Sequence, residues 1–114
     1  MYLMWTPLST ADELAALVQQ SHQHPVLVFK HSTTCSISAA AKGKIERQWA
    51  ASGLADYPIY HLDLLNHRAL SAQVAADLGI EHQSPQLLLV QHGAVRYHAS
   101  HLGIRLAEAK AAVQ

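Results

Sequence analysis

A chain of 114 residues can bury one core, and half of its residues are apolar, so a single folded domain is expected and disorder is not. Eight Lys+Arg balance eight Asp+Glu, and no basic cluster exceeds the pair around Gly43, which argues against nucleic acid as a partner. No stretch approaches the roughly 18–20 apolar residues of a membrane span, no basic segment leads into a long apolar run, and one unpaired cysteine fits a reducing cytoplasm.

Trp5 to Leu8 reads as a short edge strand or a lead-in loop. Ser9 or Thr10 can cap a first helix, with Asp12 and Glu13 in its first turn and Leu14, Leu17 and Val18 along one stripe. His22 to Pro25 ends that helix. Val26 to His31 begins as a nearly continuous apolar run, the pattern of a central strand covered on both faces. A second helix is expected from about Cys35 to Ala51, anchored by Ile37, Ile45 and Trp49 and stopped by Ser52 and Gly53. Ile59 to Asp63 is a second strand, and Asn66 is expected to cap a third helix, Arg68 to Leu78, closed by Gly79. Glu81 to Pro85 is a loop before a third strand, Gln86 to Gln91. His92 and Gly93 turn the chain into a fourth, Ala94 to Ala99, and Ile104 to Val113 forms a closing helix. The order α-β-α-β-α-β-β-α predicts an α/β domain over residues 1–114. Its small mixed sheet has four strands, parallel pairs plus a C-terminal antiparallel hairpin, with helices on both faces.

Cys35 stands where the first predicted strand gives way to a helix, after the polar elbow Ser32, Thr33 and Thr34. A sulfur at that point faces backbone N–H groups that have no partner within the helix, which favours the thiolate. The amides around Ile37 and Ser38 are the first candidates to stabilise it, and the hydroxyls of Thr34, Ser36 and Ser38 can also donate. Lys30 and His31, at the strand end, add positive potential only if they face the sulfur, and neighbouring strand residues point to opposite faces. Any redox cycle must draw its second sulfur from outside the chain.

The segment Phe29 to Ser38, the opening Trp5 to Leu8 and the Ser84-Pro85 pair resemble the monothiol bacilliredoxin family, of thioredoxin-like fold, over nearly the whole chain. Members often carry Arg before the cysteine and many Pro after it; here those positions are Thr34 and Ser36. The resemblance implies an oxidoreductase with Cys35 as nucleophile and Ser38 where dithiol relatives hold a second cysteine. It also implies a cis Pro85 facing Cys35, with the Ser84 backbone aligning substrate. No bound cofactor is implied; bacillithiol or a similar small thiol would be a co-substrate, and the partners would be S-thiolated cytosolic proteins.

Other readings fare less well. Nine histidines invite a metal, but His22 with His24 and His98 with His101 form no ligand pattern with Cys35, so no metal site is expected. A phosphatase loop needs an arginine six residues after its cysteine, and position 41 is alanine. Two further functions stay open: a non-catalytic module that binds or senses partners, and an iron–sulfur cluster carrier.

Overall fold

The computed structural model describes residues 3–114. Five strands and four α-helices follow one another as β1 (Thr6–Pro7), α1 (Ala11–Gln20), β2 (Val26–His31), α2 (Ser36–Gln48), β3 (Ile59–Asp63), α3 (Arg68–Leu78), β4 (Gln86–Gln91), β5 (Ala94–Ser100) and α4 (Leu106–Ala111). The sheet order is β1-β3-β2-β4-β5. Parallel pairs join β2 to β3 and β1 to β3, whereas β4 runs antiparallel to β2 and to β5. The sheet therefore has one strand more than the four predicted. Its extra member is two residues long and contains a proline, so it carries almost no strand signal of its own; the pairing is extended by Leu8 N–H donating to His61 O at 2.9 Å.

β2 is central and all six of its residues are buried. Their alternation feeds two cores: Leu27 and Phe29 pack with Ile45, Trp49, Leu54, Leu87, Leu89 and Leu106, while Val26 and Val28 pack with Leu14, Leu17, Leu62, Val74, Leu88 and Val90. α2 and α4 thus cover one face, and α1 and α3 the other.

Local chemistry changes three expectations: an anchor, a cap and a helix start. Ile37 does not anchor α2; it is 44% exposed, and Ala41, Ile45 and Trp49 form the buried stripe. Asn66 does not cap α3: its side-chain amide donates to Asp63 Oδ2 at 2.7 Å, and His67 takes the cap position without a side-chain bond. The closing helix starts later than Ile104. A 3-10 turn, His101–Gly103, precedes it, and Ile104 is extended, its carbonyl accepting from Lys44 Nζ at 2.9 Å. Arg105 N–H is taken by Tyr97 Oη at 3.0 Å, so helical bonding begins only beyond it.

At the start of α1, Thr10 Oγ1 accepts from the Glu13 amide at 3.1 Å and Glu13 Oε1 accepts from the Thr10 amide at 3.1 Å, a reciprocal capping box. Thr10→Ala should lower stability by about 1 kcal/mol in urea denaturation. Alkylation of Cys35 by iodoacetamide should be unchanged, because α1 lies on the face opposite α2.

Candidate active site at the end of the central strand

His31 ends β2, and five residues later, at Ser36, the chain enters α2. The Cys35 amide donates to Ser32 O at 3.2 Å and closes a tight turn, and Cys35 then occupies the N-cap of α2 with φ −105° and ψ 121°. Its side chain is half-buried. The sulfur makes no capping bond to the first turn of α2, so the expected direct donation from the amides around Ile37 and Ser38 is not present. What remains is position: Cys35 is the N-cap residue, next to the terminus where the partial positive charge of a helix lies.

The hydroxyls expected to serve the sulfur are engaged elsewhere or lie apart. Ser38 is fully buried; its Oγ accepts from the Ser32 amide at 3.0 Å and lies 2.6 Å from His31 Nδ1. It therefore ties the end of β2 to the first turn of α2 and fixes the shape of the elbow. Thr34 Oγ1 is 3.4 Å from Ser32 Oγ, and Ser36 is exposed.

The two strand-end residues separate, as alternation requires. His31 faces α2 and belongs to a closed set of four rings: its centroid is 5.8 Å from Phe29 and 5.2 Å from His61, and Trp5 lies 5.6 Å from His61 and 5.5 Å from Phe29. Trp5 Nε1 donates to Glu46 Oε2 at 2.9 Å, and Lys42 Nζ reaches the same oxygen at 3.2 Å. Burial, followed by the nearby Lys42, pushes the His31 pKa below its usual range. His61 is lowered by burial first and then by His31 and Lys42. Both imidazoles are accordingly neutral at pH 7. Lys42 and Glu46 are spaced i,i+4 on α2, but nothing in the sequence joins that pair to Trp5 and His61, which come from other parts of the chain.

Lys30 points the other way, towards α3, and is completely buried. Its Nζ donates to Ser71 O at 3.2 Å and to His82 Nδ1 at 3.2 Å. Neither strand-end residue is placed to bond the sulfur.

The Ser84–Pro85 bond is cis. Lys30 pairs with Gln86, so Pro85 stands beside His31 in the continued register, at the same end of the sheet as Cys35. Pro85 is buried and its carbonyl accepts from the His101 amide at 3.0 Å. Ser84 Oγ and His61 Nε2 are buried atoms without a hydrogen-bond partner among the described residues. Among those residues no group of three or more His, Cys, Asp or Glu side chains is arranged to hold a metal ion, and no helix is long and apolar enough to cross a membrane.

This architecture is that of thioredoxin. A solved structure described as a candidate oxidoreductase with a thioredoxin fold superposes with a TM-score of 0.79 at 28% identity, covering 94% of this chain and 91% of that one. Thioredoxin from Trypanosoma brucei brucei gives 0.72 at 11% identity, with 98% and 89% covered. Spinach chloroplast thioredoxin f gives 0.69 at 19% identity, with 94% and 91% covered. Fold and lone cysteine together define a thiol redox protein. Residues 6–109 match the family described as Monothiol bacilliredoxin BrxC, and the chain belongs to that family.

The buried lysine sets a test of the electrostatics. Burial lowers Lys30 from 10.5 to about 8. Below pH 8 the ammonium is charged in both folded and unfolded chains, and the penalty for burying it is fully felt. Between about 8 and 10.5 the folded chain has lost that proton while the unfolded chain still binds it, so stability rises with pH. Urea midpoints at pH 7 and pH 9.5 should show this increment in the natural chain and not in Lys30→Met.

Proposed function

We propose that the protein is a monothiol thiol–disulfide oxidoreductase that removes bacillithiol, or a similar low-molecular-weight thiol, from S-thiolated cytoplasmic proteins through a mixed disulfide on Cys35. The observation that carries this reading is a single, half-buried cysteine at the N-cap of a 13-residue helix in a thioredoxin fold, with a serine three residues on.

Two exchanges make the cycle. Cys35 thiolate attacks the cap sulfur of a protein mixed disulfide; that S–S bond breaks, the target leaves as its thiolate, and the cap is carried on Cys35. A second small thiolate then attacks the cap sulfur, a symmetric small-molecule disulfide departs, and Cys35 thiolate is regenerated. Each step breaks one S–S bond and forms another, so no outside oxidant is needed, and the net reductant is the small thiol. In the first step Cys35 is the attacking thiolate and in the second it is the leaving group, so one sulfur serves both exchanges. Ser38 cannot resolve the mixed disulfide, because a hydroxyl is not a nucleophile towards sulfur at neutral pH. Ser84 and cis Pro85, beside His31, are the segment assigned to align the incoming disulfide, through the Ser84 backbone.

Two measurements test this. Release of the small thiol from a bacillithiolated target should be lost in Cys35→Ser; undiminished release by that variant removes catalysis by this sulfur. Ser38→Cys should form an internal disulfide and resolve its own intermediate, so that turnover no longer depends on added small thiol for that step. Continued dependence would mean that the elbow does not bring positions 35 and 38 together.

A further inference from the structure

Lys30 presents a problem that the redox cycle leaves unsolved. Its side chain has no exposed surface, and among the described residues the one ion pair is Lys42–Glu46, so no carboxylate neutralises it. A buried ammonium without a counter-ion is destabilising, and an apolar side chain of the same length would serve the fold better. An ammonium only donates, so the His82 Nδ1 that it meets must accept, and the ring proton is confined to Nε2. Ser71 Oγ, 3.1 Å from the same nitrogen, is a second group placed to donate to it.

Beside this pair lies a recess of ≈ 270 Å³ lined by Leu64, Arg68, Ser71, Ala72 and His82. It is too small for a complete drug-sized ligand and large enough for the acidic end of one. Arg68 is exposed at its rim and has no carboxylate partner among the described residues. Two basic side chains, Arg68 and His82, therefore line an opening that contains no acid, and the buried Lys30 ammonium stands behind the imidazole.

The recess belongs to the end of the sheet that carries Cys35. The Leu64 amide donates to His31 O at 2.9 Å, and His82 lies in the segment that leads to Pro85. The turn closed by Cys35 N–H on Ser32 O keeps those two Cα atoms within about 7 Å, and Ser32 is one residue, about 3.8 Å, from His31.

Building on the function proposed above, we infer that this recess binds the carboxylate end of the small thiol exchanged at Cys35. Arg68 pairs with the carboxylate, His82 donates its Nε2–H, and Lys30 supplies positive potential from behind the imidazole. The substrate class is then an anionic small thiol, and a neutral thiol of equal size forgoes the contact.

The intact, reduced protein is titrated at pH 7 with succinate, and with succinamide as the neutral control, while the His82 ring is followed by NMR. Succinate alone should give a saturable shift, weakened at least tenfold in Arg68→Ala and in Lys30→Met. The methionine keeps the core filled. An absent shift, or one unaltered in both variants, overturns the inference. In a second arm 2-hydroxyethyl disulfide first converts Cys35 to its 2-mercaptoethanol mixed disulfide, releasing one 2-mercaptoethanol; mercaptosuccinate is then exchanged against 2-mercaptoethanol on Cys35, one thiol released for each one bound, and the two adducts are read by intact-protein mass spectrometry. The natural chain should favour the mercaptosuccinate adduct by about tenfold relative to either variant. Equal partition in all three proteins overturns the inference alone. Failure of Cys35 to form either adduct overturns the oxidoreductase reading and this inference with it.

Discussion

The hydroxyl of Ser38 holds the candidate site together. Within one helical turn of Cys35 it accepts the Ser32 amide and meets His31, so the last residue of the central strand, the elbow and the first turn of α2 are joined at one buried point. Buried polar contacts of this kind are costly when half-made, since each group left unpaired loses its hydration without return. Ser38, three residues after Cys35, thus serves as a structural joint beneath the elbow.

β2 supplies the other constraint. Flanked by strands and covered on both faces, it has no solvent-facing side, so its two final polar residues had to be accommodated inside the protein. His31 went to the aromatic face, where burial and then the nearby Lys42 disfavour its charged form; Lys30 went to the α3 face, where a carbonyl and an imidazole receive it. One strand end thereby equips two faces differently, an uncharged one under the elbow and a basic one beside the approach to Pro85.

Much of this was legible in the sequence. The apolar run from Val26, the stripe of Leu14 and Leu17 and the glycine at 79 located β2, α1 and the end of α3, because periodicity and left-handed caps are local properties. Cys35 at a strand-to-helix junction was equally plain. Ile37 aside, the departures from expectation involve side chains that satisfy a group outside their own helix. Asn66 reached back to Asp63, Lys44 took the Ile104 carbonyl, and Ser38 turned inward to His31. The convergence of Lys30, Ser71 and His82 depends on contacts across 11 to 52 positions, which spacing along the chain cannot reveal.

The rims of the sheet carry one more implication. On one side β1 is two residues long and includes Pro7, which offers no N–H; on the other, β5 is kinked by an irregularity opposite Leu89 and Val90 and exposes Arg96 and His98. Both margins are poor templates for strand addition. An extended segment of another chain would therefore find little free backbone at either margin with which to lengthen the sheet.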